Sequence, residues 1–139
     1  MSDANNDFIQ MTATEAVNRL RSKEISPLDL VEASIQRIEA VDTEVNALPI
    51  HCFEQAREQA KSLDLEEHTG NPKSLCGLPI AVKDYNDLGG AATTYGSPIF
   101  ADNVPLKSDA TVRQLQSNGA IAVAKSNVPE WTGGHTFNP

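Results

Sequence analysis

Lys83 is the residue of this chain whose type and position most invite a chemical role. It ends the apolar run of "GLPIAVKDYNDLGG", residues 77–90, and is followed by Asp84 and a loop that closes on Gly89 and Gly90. A charge costs free energy wherever water is scarce. In open α/β sheets ligands collect beyond the carboxyl ends of strands, which is where the run places Lys83. A lysine acts as a base or an amine nucleophile when burial lowers its pKa. The plainer reading is a lysine that snorkels, or that is salt-bridged to Asp84 or Asp87.

The other constellations carry less. "GGAATTYGS", residues 89–97, is rich in glycine and hydroxyls, but it lacks the lysine and spacing of a phosphate cradle. Asp84 and Asp87 form a pair of nearby carboxylates, though two acids in a loop more often act as caps and turn residues. No G-x-S-x-G occurs, so the nucleophile elbow of an α/β-hydrolase is absent from the sequence. Cys52, Cys76, His51, His68 and His135 are scattered and in no metal-ligand spacing. The cysteines read as two small apolar residues. A second lysine, Lys125, closes another apolar run in "AKSNVPEW".

The elements that must position these residues fall into two halves. Thr12 followed by Glu15 predicts a capping box, with Ala13, Ala16, Val17 and Leu20 on one helical face. Ser26, Pro27 and Asp29 predict a stronger start, and Leu28, Val31, Ile35 and Ile38 give that helix its stripe to about Val41. A third helix is expected near 52–65, and a loop over "EEHTGNPKSLC", residues 66–76. Each helix has one apolar stripe and a charged opposite face, as expected of elements on the outside of a core.

The pattern then changes. "LPIAV", residues 78–82, predicts a strand buried on both faces. Ser108 and Asp109 begin a helix through about Asn118, and Gly119 is placed to end it in the left-handed conformation. "AIAVA", residues 120–124, predicts a second buried strand. Strand, crossover helix, strand is the grammar of a parallel pair in an α/β sheet. Two such inner strands and four helices leave a sheet edge open, and the sequence ends in "TGGHTFNP", so the chain reads as the front part of a larger α/β domain.

Bulk properties exclude several classes. The 139 residues fit one domain or part of one, and no window approaches the roughly 18 apolar residues of a membrane span. The opening "MSDANNDFIQ" lacks a signal-peptide pattern, so a cytoplasmic location is expected, with no membrane partner. The formal charge of −8 lies in residues 1–72, with 6 basic and 14 acidic side chains; residues 73–139 carry 5 of each. With no basic stripe, nucleic-acid binding by this chain alone is not expected.

The run "GLPIAVKDYNDLGGAATTYGS", with the later "DATVRQLQSNGAIAVAKSNVPEW", closely resembles the amidase signature family. The family's G-x-P-x-x-V-K-D strand end corresponds to Gly77, Pro79, Val82, Lys83 and Asp84. Its T-T-x-G-S loop corresponds to Thr93, Thr94, Gly96 and Ser97, and its D-A-x-x-x-x-L helix to Asp109, Ala110 and Leu115. Its G-A-x-x-x-x-K-x-N-x-x-E segment corresponds to Gly119, Ala120, Lys125, Asn127 and Glu130. The helical half, including "SPLDLVEASIQRI", also looks like that family's amino-terminal region.

The resemblance implies an α/β fold with a mixed β-sheet surrounded by helices. The chain is then the amino-terminal portion of a single domain: about 1–72 peripheral helices, and 73–139 the start of the core. It also implies a serine amidase without metal or cofactor, in which a second serine in a cis peptide bridges the nucleophile to a lysine base. By motif that lysine is Lys83. A model lysine, with pKa near 10.4, is neutral in only about one molecule per thousand at neutral pH, and a pKa of roughly 7–8 would make it a usable base. Enclosure in a dry site at a rigid strand end is the expected means. Lys125, Asn127 and Glu130 are expected to lock the strand end and the following turn.

Both serines belong to a Gly/Ser-rich "GGSSGG" type of segment that these 139 residues do not contain. The chain by itself is therefore expected to be inactive. The expected partner is a small-molecule amide; its identity and any homo-oligomerisation are left open. Two alternatives stand beside this one: a non-catalytic remnant or interaction module needing another chain to complete its sheet, and the glutamine-hydrolysing subunit of a tRNA-dependent amidotransferase.

Overall fold

The computed structural model describes residues 3–134. Its helices begin largely where the capping residues put them. After α1 (Asp3–Gln10), α2 (Ala13–Arg21) starts at Thr12, whose hydroxyl accepts the N–H of Glu15 at 3.2 Å. The reciprocal half of that box is missing because the Glu15 carboxylate pairs with Arg19 at 2.9 Å. α3 (Pro27–Val45) has the complete box: Ser26 accepts from Asp29 N, and Asp29 accepts from Ser26 N at 2.8 Å. It runs past the expected Val41 and ends at Asn46, which takes the left-handed conformation (φ 51°) and bonds back to Asp42 O.

Next come β1 (Ile50–His51), α4 (Phe53–Ser62) and α5 (Leu65–Thr69). The short α5 replaces part of the loop expected over 66–76: Asp64 caps it by accepting from Glu66 N at 2.9 Å. β2 (Pro79–Lys83), α6 (Ala110–Ser117) and β3 (Ile121–Ser126) form the expected crossover unit. Gly119 adopts φ +86° after α6, as its position predicts. Two short 3₁₀ turns, Pro98–Phe100 and Glu130–Thr132, complete the described elements.

The three strands lie in the order β1-β3-β2, with β2 parallel and β1 antiparallel to β3. β3 is central and fully buried from Ile121 to Lys125. Ile121 and Val123 pack against Val31, Ile35 and Ile38 of α3 and against Ala56 and Ala60 of α4. Ala122 meets Val82, Leu88, Ala91 and Val112, with Cys52 among them. A third cluster joins Ala16, Leu20, Ile25, Leu30 and Cys76. Both cysteines are thus buried as small apolar side chains. Burying such residues is worth roughly 25 cal/mol per Å² of apolar surface, which makes these clusters the main support of the strand ends.

β2 corrects the expectation of a strand buried on both faces. It is an edge among the described residues; Val82 is buried, Pro79 and Ile80 are half-buried and Ala81 is exposed. An apolar run specifies a strand but not what covers it, and no described element lies beyond β2. Its register on β3 shifts once, from Ile80 opposite Ala122 to Ala81 opposite Ala124, so Val123 is an extra residue on β3. No helix among the described residues is long and apolar enough to cross a membrane.

Candidate active site

The carboxyl ends of β2 and β3 meet side by side, with Lys83 opposite Ser126. Parallel pairing aims both ends the same way, so residues 83–86 and 125–131 share one rim with the glycine- and threonine-rich segment 89–97.

At the centre of this rim is Lys125, with no solvent exposure. Its ammonium has three protons to place. They have three acceptors: Asp84 Oδ1 at 3.0 Å, the carbonyl of Asn86 at 2.8 Å and Thr93 Oγ1 at 2.5 Å. Burial pushes the Lys125 pKa down from its ordinary value, and the hydrogen bond and charge of Asp84 oppose that push. The same burial raises the Cys52 thiol, with the Lys125 charge working against it.

Asp84 is 2% exposed and its polar groups have partners. Its carboxylate accepts from Thr94 N at 3.1 and 3.2 Å and from Thr94 Oγ1 at 2.5 Å, besides Lys125. Its N–H donates to Ser126 O and its carbonyl accepts from Tyr95 N, both at 3.0 Å. Both oxygens of this buried carboxylate therefore have hydrogen-bond partners. Thr93 N donates to Asn103 O at 2.9 Å, and the Asn103 amide returns a bond to Thr93 O at 2.8 Å.

A second set of contacts clasps the 94–97 loop to the turn after β3. Ser97 Oγ donates to Glu130 at 2.8 Å, and Trp131 N donates to Tyr95 O at 3.0 Å. Tyr95, Gly96 and Trp131 all have positive φ, of 53°, 69° and 53°. Gly96 is required there, because a Cβ would sit 2.6 Å from the Val128 carbonyl oxygen. The rings of Tyr95, Phe100 and Trp131 pack on one another, with Phe100 5.2 Å from each of the other two. Tyr95 also donates its hydroxyl to Asp87 at 2.6 Å, which raises the tyrosine pKa. A cleft of about 330 Å³ opens among Asp84, Thr94, Ser97, Pro98 and Asn127.

Lys83 itself is exposed, with its ammonium 5.5 Å over the ring of Tyr85. It is paired with neither Asp84 nor Asp87: Asp84 turns inward to Lys125, and Asp87 serves Tyr95. The described residues therefore do not enclose Lys83, and the desolvation expected of a strand-end base falls here on Lys125. Asn127 locks the strand end as expected: its N–H donates to Ala47 O and its amide to Asn46 O. Glu130 holds the turn through Ser97. Thr93 and Thr94 matter more than their motif suggested; the visible signal was a pair of adjacent threonines directly after the small residues Gly89 to Ala92. His135 lies outside the described residues. Among the described residues no group of three or more His, Cys, Asp or Glu side chains is placed to hold a metal.

The Amidase family model matches residues 29–138. The chain is 37% identical over 125 residues to a glutamyl-tRNA(Gln) amidotransferase subunit of Desulfatibacillum aliphaticivorans, covering 90% of this chain and 26% of that protein. It is 31% identical over 135 residues to an acylamidase of Rhodococcus erythropolis, covering 93% and 28%. The crystal structure of a bacterial aryl acylamidase of the amidase signature family superposes with a TM-score of 0.77 at 27% identity, over 87% of this chain and 26% of that one. The chain thus spans about a quarter of the length of the proteins it matches.

Proposed function

This chain belongs to the amidase family, and we propose that it forms the lysine-bearing front part of a serine amide hydrolase, with Lys83 as the base. The observation that carries the reading is the position of Lys83 as the last residue of a strand in a parallel pair, in a fold like that of a solved aryl acylamidase.

In this mechanism a serine oxygen attacks the carboxamide carbon, and its proton passes through a second serine to the Lys83 amine. The tetrahedral intermediate collapses as the carbon–nitrogen bond breaks, and the departing nitrogen takes a proton back along the same route. Water then cleaves the acyl-enzyme ester to release the carboxylate and free the serine. Lys83 must be neutral at the start of each cycle, and that requirement is what a closed, water-poor site around it would serve. Both serines would come from a Gly/Ser-rich segment that these 139 residues do not contain. No step calls for a metal or cofactor.

The test is Lys83→Ala in the complete protein that carries this segment, read as release of ammonia or amine from carboxamides and anilides. Loss of turnover with an unchanged circular dichroism spectrum is expected. Near-normal turnover would end the assignment.

A second reading, the glutamine-hydrolysing subunit of an amidotransferase, is favoured by the 37% identity to a protein of that kind. Its signature would be ammonia release from glutamine that rises when partner subunits are added.

A further inference from the structure

We propose that Lys125 is a positioning residue for Lys83: through Asp84 and the Asn86 carbonyl, its buried ammonium clamps the turn that carries the Lys83 side chain. The proposal rests on the reading of Lys83 as the base, and it deepens that reading by naming what holds the base in place.

The turn begins at Lys83, whose carbonyl accepts from Asn86 N at 2.9 Å. Lys125 Nζ binds the outer end of this turn at Asn86 O and its inner start at Asp84 Oδ1. Its third bond, to Thr93, ties the turn to the neighbouring loop, and Thr94 secures Asp84 from the same side. Lys83 and Asp84 are consecutive, so every bond that restrains Asp84 also restrains the backbone from which Lys83 projects. Among the described residues Lys83 is exposed and reaches only the Tyr85 ring, so these side-chain contacts do not hold it. The fixed point must be on the inner side, and Lys125 is the group there with no exposure and a full set of partners.

The placement over Tyr85 supplies a direct readout. A proton above an aromatic ring resonates upfield, so the Lys83 ε-methylene should be shifted from the other five lysines of the chain. The protein is labelled with ¹³Cε-lysine, and the Lys83 signal is assigned by its loss in Lys83→Arg. In Lys125→Met we expect the upfield shift to collapse while the Lys23 and Lys61 signals stay in place. Lys125→Arg, which keeps charge and donors, should recover part of the shift. Should Lys125→Met fail to fold, Thr93→Val removes one acceptor at similar volume and should move the same signal in the same direction. A folded variant of either kind with Lys83 at its wild-type shift would overturn the clamp.

The catalytic reading is tested apart from this. Full turnover in Lys83→Ala together with a collapsed Lys83 signal in Lys125→Met would remove the base and leave the clamp. Loss of turnover in Lys83→Ala with an unmoved signal would do the reverse.

Discussion

Lys83 and Asp84 are neighbours in sequence and opposites in environment: the lysine is exposed to solvent, and the aspartate is 2% exposed and bonded to Lys125 at 3.0 Å. A strand end sends successive side chains to opposite faces, so one peptide bond separates the surface of the rim from its buried network.

Breaking that network from one side should be costly. Lys125→Met or Asp84→Leu alone leaves an unpaired buried charge, and each is expected to lower unfolding free energy by about 3–5 kcal/mol. The double variant Asp84→Leu/Lys125→Met should lose clearly less than the sum of the two. Denaturant unfolding of all four proteins measures the coupling; additive losses would show that the pair does not act as a unit.

Gly96 and Gly90 separate two kinds of strain. Both have positive φ, but a Cβ on Gly96 meets the Val128 carbonyl at 2.6 Å, whereas on Gly90 the nearest atom is 4.0 Å away. Gly96→Ala should cost about 1–3 kcal/mol and loosen the clasp between Tyr95 and Trp131. Gly90→Ala should cost about 1 kcal/mol, the backbone term alone. Melting temperatures of the two variants give the comparison, and equal losses would count against the contact at Val128.

The capping box of α3 gives a local prediction. Ser26→Ala removes the acceptor for Asp29 N and should destabilise the protein by about 1 kcal/mol, and Ser26→Gly by only a few tenths. Thr12→Ala should cost less than Ser26→Ala because its box is only half made. Thermal unfolding of the three variants would check the order.

The tie between α3 and α4 should depend on acid. Glu32 is held below the usual carboxylate range chiefly by its hydrogen bond from Arg57, at 2.7 Å. The folded protein therefore takes up this proton less readily than the unfolded one. The contribution is fully present above the unfolded value of 4.5 and disappears as pH falls through the lower folded value. Wild type and Glu32→Gln should differ in melting temperature at about pH 7 and converge toward about pH 3. A constant difference across that range would rule out the linkage.

The sequence was most legible where one residue decides a local event. Ser26 and Asp29 set the start of α3, and the run 120–124 marked the buried strand, because capping and burial are written in residue type. The end of α3 was less so: Asp42 to Val45 adds no apolar stripe, and the stop is the backbone of Asn46. β1 has only two residues, too few for a period, and depends on partners such as Val123 O, which accepts from Cys52 N. At the site, adjacency suggested Asp84 or Asp87 as a partner for Lys83, yet Asp84 pairs with a lysine 41 positions later. That choice is made by strand register, a property of two segments together, and no single segment carries it.

The extra residue at Val123 sets that register. Carried straight on from Ile80 opposite Ala122, the pairing would bring Lys83 level with Lys125, two ammonium groups abreast on neighbouring strands. The single slip instead sets Lys83 against Ser126 and Val82 against Lys125. It acts as a parity device: by moving one strand half a pleat against the other, it sorts two like charges onto opposite sides of the sheet. One lysine can then serve as an internal strut while the other stays free to meet whatever approaches the rim.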